Sequence, residues 1–318
     1  MARTQSEHPG RRADRPSDIP ASGWVEVAKR VKGRIKEHHL TLSAAGVAFY
    51  AFLASVPALA ALITIAGMVL TPERAVEIVD DLLDAAPDEV SSVLSSQLET
   101  VAGADGGALS IGLVISLGAA LWAASSAMQN LIEAVGIAYN EPDNRGFLAR
   151  RGLALLLTLG AIVFFAVAIA AIAVLPAVLG AVDLPGGLRW LISLLVWPLL
   201  GAGLAVALSV IYRYGPDRKQ AKWRWVSWGA GIAVVIWILA SIGFQIYVSN
   251  FGNYNETYGS LAAIVILLLW LLISAFAILL GAEINSELER QTITDTTQGD
   301  DRPRGQRGAD AADDVSTA

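Results

Sequence analysis

Apolar residues fall in six long blocks along this chain: Thr41–Leu70, Ala108–Ala138, Gly152–Val182, Trp190–Tyr212, Val226–Val248 and Leu261–Ala282. Five blocks contain no charged residue, and the second contains only Glu133. Neither the 3.6-residue stripe of a surface helix nor strict alternation describes them; they are apolar all round. Leu261 to Ala282, at about 1.5 Å per residue, spans roughly 33 Å, enough for a hydrocarbon core of about 30 Å. The pattern predicts an all-α, polytopic membrane protein with six transmembrane helices. Pro57 and Pro198 stand inside the first and fourth blocks and predict kinks there.

Two stretches outside the blocks are amphipathic. In residues 23–39, Trp24, Val27, Ala28, Val31 and Ile35 share one helical face, and Lys29, Arg30, Lys32, Arg34 and Lys36 occupy the rest. This predicts an interfacial helix against anionic lipid headgroups. Residues 71–107 carry nine acids and one base, Arg74, on two short helical repeats separated at Pro87. They predict two short extracytoplasmic helices over the bundle mouth. Residues 1–22 and 291–318 lack core-forming patterns and predict disordered tails.

Composition agrees: 54% of residues are hydrophobic, 16% charged, and mean hydropathy is +0.53. The basic residues then orient the chain. Of 23 Lys and Arg, the N-terminal segment holds nine, the second-to-third connection three, the fourth-to-fifth five and the C-terminal segment four. Only Arg74 and Arg189 fall on the other side. The positive-inside rule predicts a multi-pass protein of the bacterial cytoplasmic membrane with both termini cytoplasmic.

Catalytic signals are sparse. The chain has no cysteine and three histidines, His8, His38 and His39, all outside the apolar blocks. It contains no Walker A sequence, no nucleophile elbow and no zinc-type spacing. No catalytic residue, metal or cofactor is assigned, and no nucleic-acid partner is expected. What remains is polarity within or beside spans, which normally faces a bundle interior or a wet cavity. Ser126, Gln129, Asn130 and Glu133 lie on one face of the second span. Ser274, Ala277, Gly281 and Asn285 form a stripe on the sixth, beside Glu283. Asn250, Asn253, Tyr254, Asn255, Glu256 and Tyr258 form a polar outer hairpin.

Four segments carry a family resemblance: AAGVAFYAFLASVPAL from Ala44, ALWAASSAMQNLIEAVGIAYNE from Ala120, the Tyr212–Val226 stretch containing YRYGP and KWRWV, and YVSNFGNYNETYGSLAAIVILLLWLLISAFAILLGAEINSELER from Tyr247. The chain resembles the YihY/BrkB family of bacterial inner-membrane proteins, some of which have carried the name ribonuclease BN. The resemblance covers roughly residues 40–290 and implies a six-span helical bundle in the cytoplasmic membrane. The basic face here lacks clustered histidines or a carboxylate constellation, so the nuclease label finds no chemistry to rest on. The residues favour transport, or lipid- or envelope-related handling of a substrate, along a polar path through the bundle. The alternative is a non-transporting scaffold or envelope-assembly factor, acting as a homo-oligomer or with an envelope partner.

Overall fold

The computed structural model describes residues 9–69, 111–181, 185–250 and 260–314. The acidic segment 71–107 and the hairpin residues 251–258 lie outside them. The described chain is helical: α1 (Ala21–Glu37), α2 (Leu40–Val69), α3 (Ile111–Ala138), α4 (Phe147–Ala181), α5 (Gly186–Tyr214), α6 (Trp223–Asn250), α7 (Ser260–Glu289) and the short α8 (Asp310–Asp313). Six of these are long, and α2 to α7 follow the six apolar blocks. Over the described residues, α4 to α7 are long and apolar enough to cross a membrane. Helix α5 runs unbroken through Pro198.

The six long helices pack in a ring. Helix α2 lies between α3 and α7, α6 between α7 and α5, and α4 between α5 and α3; α7 also touches α3 across the ring. Helix α1 lies across α7 and α2.

The ring is packed unequally along its length. Buried side chains gather at the end where α2, α4 and α6 begin and α3, α5 and α7 finish, here called the base. Leu40, Ala44, Val135, Tyr139, Tyr212, Val226, Ala230, Leu279 and Ala282 form one apolar cluster there. Towards the far end, none of the described side chains in 159–168, 186–207, 235–249 or 264–274 is buried. In α2 and α3 the described side chains reach only from the base to Ser55 and to Gly118, and among them Ala54 and Ala120 are the buried ones farthest out.

Three expectations change at the base. Residues 291–314 are packed: Thr292, Asp295, Thr296, Thr297, Ala311 and Ala312 are buried. Polar side chains order this segment by satisfying its backbone. Arg307 donates to the carbonyls of Ile293 and Ala312, and Asp295 accepts from the amides of Thr297 and Arg302. A reading based on apolar periodicity cannot detect such a fold. The upstream tail is likewise anchored from Pro9 onward: Ala13 and Ile19 are buried, and Thr292 Oγ1 donates to the Ala13 carbonyl at 2.8 Å. Finally, α1 spends part of its apolar face inside the protein. Val27 and Val31 pack with Trp225 and Leu288, while Lys29, Lys32 and Lys36 are exposed.

Candidate functional site

The first polar set stays together. On α3, Ser126 Oγ donates to the Trp122 carbonyl at 2.9 Å, and Asn130 Nδ2 to the Ser126 carbonyl at 2.9 Å. Gln129 Nε2 donates to Glu133 Oε1 at 3.2 Å. What the sequence did not reveal is their partner. Arg151, counted there as a loop base, lies in the second turn of α4, because that helix starts at Phe147 rather than after the arginines. Its guanidinium sits 3.6 Å above the Trp122 ring. It donates to Ser126 Oγ at 3.1 Å, to the Trp122 carbonyl at 2.9 Å and to Gln129 Oε1 at 3.5 Å.

Arg151 is 8% exposed, yet among the described residues no carboxylate pairs with it. Its neighbour Arg150 takes the acids instead, Glu133 at 3.7 Å and Asp143 at 3.3 Å. Burial pushes the Asp143 carboxyl up, but hydrogen bonds and charge from Arg145 outweigh it and hold the group below its ordinary value. Trp122 is 58% exposed, so the cluster lies beside an open surface.

The second set is dispersed by function. Ser274 Oγ lies 2.9 Å from Trp237 Nε1, which donates to it. Ala277 is buried. A Cβ at Gly281 would stand 2.6 Å from the Tyr212 hydroxyl and 2.7 Å from the Gly229 carbonyl, so only glycine allows this approach of α7 to α6. Asn285 Oδ1 accepts from the Gly229 amide at 2.7 Å, and its Nδ2 donates to the Val226 carbonyl at 2.9 Å. The stripe is thus the α6–α7 seam, and its polar atoms are already bonded.

Beyond the stripe, the apolar block ends at Ala282 but the helix runs on to Glu289. Each charged residue of this extension holds a different part of the base. Glu283 Oε1 lies 2.6 Å from His38 Nδ1. Glu287 binds Arg30 at 2.6 Å and Arg34 at 3.1 Å. Glu289 pairs with Arg218 at 2.7 Å, both side chains fully buried, and accepts from Thr296 Oγ1 at 2.7 Å. Arg290 pairs with Asp314 at 2.7 Å and with Asp310. The Arg218 guanidinium also lies 4.4 Å from the Tyr139 ring. The hairpin candidates Asn253, Tyr254, Asn255 and Tyr258 lie outside the described residues, and Asn250 ends α6.

No three His, Asp or Glu side chains among the described residues are grouped as a metal site. The two polar sets use different neighbours: α4 for the first, and α1, α6 and the C-terminal segment for the second.

A ring of apolar helices with a polar, ion-paired base defines a multi-pass helical membrane protein. Its sequence relationships agree. The family model described as "Virulence factor BrkB" matches residues 31–306, and the chain belongs to that family. It is 30% identical over 279 residues to the "Putative ribonuclease-like protein YfkH" of Bacillus subtilis, covering 83% of this chain and 95% of the relative. A "UPF0761 membrane protein" of Verminephrobacter eiseniae is 28% identical over 282 residues, 85% of this chain and 64% of the relative. Another, from Tolumonas auensis, is 34% identical over 92 residues, about 30% of each chain. No solved structure matches.

Proposed function

We propose that this protein handles an anionic amphiphile, of the phospholipid class, in the cytoplasmic membrane, with six spans and both termini inside. Arg151 carries the reading. A buried guanidinium without a carboxylate is costly in a span, and such a residue normally faces a substrate path or a ligand. Here it stands about one turn inside α4, which the proposed orientation puts at headgroup depth, with Ser126 and Gln129 beside it and Trp122 exposed. A phosphate could share the guanidinium's planar donor edge. The packing of α4 to α7 supports the same reading: ion pairs tie their base, while none of the described side chains of 159–168, 186–207, 235–249 and 264–274 is buried. The convergence of the two basic connections and both terminal segments at the base supports the orientation.

The test is reconstitution into liposomes with fluorescent anionic and zwitterionic phospholipids, following lipid movement between leaflets. Movement of the anionic lipid, lost in Arg151→Gln and retained in Lys36→Gln, is the expected result. Equal movement with Arg151→Gln would remove the basis of the proposal.

The bonded α6–α7 seam favours a second reading, a scaffold that moves nothing. No lipid movement by the wild-type protein, together with a stoichiometric crosslinked partner in cells, would select it.

A further inference from the structure

A separate feature lies on the outer side of α6. Ser227, Trp228, Gly231, Ile232 and Val235 line an open groove of about 480 Å³. They recur at helical spacing, and Arg224 precedes them by one turn on the same face. From Arg224 to Val235 the helix rises roughly 16 Å, about half of a 30 Å hydrocarbon core. With Arg224 at headgroup level, the face spans about one leaflet and ends near the bilayer midplane, within the apolar stretch Trp223–Ser249.

The mouth of the groove is polar and aromatic. Trp24 of α1 and Trp228 meet there with ring centroids 5.7 Å apart, and Trp228 remains 43% exposed. Indoles with one wet edge suit the membrane interface. The cation at this mouth is unspent. Lys222 is held by Asp301 at 3.1 Å and by the Asp295 carbonyl. Arg224 is exposed and makes no ion pair or hydrogen bond among the described residues. The floor is unspent as well, since a Cβ built on Gly231 meets nothing within 4 Å.

We infer that this groove binds one anionic glycerophospholipid of the surrounding leaflet. The phosphate lies on the Arg224 guanidinium and the Ser227 hydroxyl, and an acyl chain runs over Gly231 to Val235. The charge of Arg224 selects an anionic headgroup, and the apolar floor in a membrane-spanning helix selects a lipid over a soluble phosphate. By seating against Trp24 and Trp228 the lipid would fasten α1 to α6. The site is independent of Arg151, so it stands or falls separately from the proposed activity.

The experiment is native mass spectrometry and thermal unfolding of the purified full-length protein in micelles. Phosphatidylglycerol, phosphatidylcholine and glycerol 3-phosphate are added in parallel. Phosphatidylglycerol should be retained and raise the unfolding midpoint, with little effect from the other two. Arg224→Gln should weaken retention about tenfold, one charge-assisted contact's worth. Gly231→Leu should abolish retention without lowering the lipid-free midpoint, because the added side chain projects into open space. Val235→Trp blocks the same groove from its far end and covers the case in which Gly231→Leu misfolds. Arg151→Gln should retain the lipid fully. Retention unchanged in Arg224→Gln and in both groove-filling variants would overturn the inference. An equal response to phosphatidylcholine or to glycerol 3-phosphate would do so too.

Discussion

His38 Nδ1 lies 2.6 Å from Glu283 Oε1, joining the end of α1 to the last turns of α7. The next residue, His39, turns the chain into α2 with φ of 47°. The pair therefore sits at the joint between α1 and the ring. The Glu283 hydrogen bond raises the His38 pKa, against a smaller opposing effect of burial. A raised histidine pKa means that the folded protein binds the proton more tightly than the unfolded chain does. Its stabilisation is complete below the unfolded value of about 6.5 and fades as pH rises through the higher folded value. Thermal midpoints of wild type and His38→Gln, measured between pH 5.5 and 9, should differ most at the acid end and converge at the alkaline end. Two parallel curves would show that the charge on His38 contributes nothing.

His39 itself is a test of the joint's backbone. Left-handed φ is disfavoured for a residue with a Cβ. His39 is exposed. His39→Gly should therefore be neutral or stabilising by up to about 1 kcal/mol, and His39→Val destabilising by ~1 kcal/mol or more. Stability measured by chemical unfolding in micelles would check both signs.

The ring was legible in the sequence because apolar blocks of 22 or more residues have one physical solution in a bilayer. The sites were less legible. The stripe Ser274, Ala277, Gly281 and Asn285 looks the same in sequence whether it lines a cavity or a close helix seam, since both want small residues. The structure places it in the seam. Arg151 was hidden because a base flanking an apolar block reads as a loop charge. Its weight came from Trp122, 29 positions earlier, whose ring it covers. The segment 291–314 was hidden because side-chain-to-backbone bonds order it, and these leave no periodic pattern.

The seam makes a sharp prediction about two glycines. Gly281→Ala places a methyl against Tyr212 and the Gly229 carbonyl, and should cost about 1–3 kcal/mol as an overpacked contact. Gly231→Ala on the outer side of α6 meets open space and should be neutral or slightly stabilising, as expected for glycine replacement within a helix. Unfolding midpoints of the two variants in the same detergent provide the comparison. Similar losses at both positions would contradict the close approach at Gly281.

The stacking of Arg151 on Trp122 should be measurable by a double-mutant cycle. Arg151→Lys keeps the charge but loses the planar face and fixed donor edge. With Trp122→Leu as the second substitution, a coupling of roughly 0.5–2 kcal/mol in stability is expected. A coupling near zero would mean that the two residues are neighbours without interaction. The same Lys variant should lower anionic lipid movement in liposomes if the guanidinium holds the headgroup.

The ion pair between Arg218 and Glu289 tests whether the C-terminal segment is part of the fold. Both side chains are fully buried, and Glu289 also takes the Thr296 hydroxyl. Removing one partner strands a buried charge, so Glu289→Gln or Arg218→Met should each cost about 3–5 kcal/mol. The double variant Arg218→Met with Glu289→Leu should cost less than the two single losses together, because no charge is then left uncompensated. Deleting residues 291–318 removes Thr296 from Glu289, and Asp310 and Asp314 from Arg290. Truncation should therefore lower the unfolding midpoint and open the base to proteolysis around Arg218. A truncated protein as stable and protease-resistant as the full chain would mean that the segment contributes nothing to holding the base together.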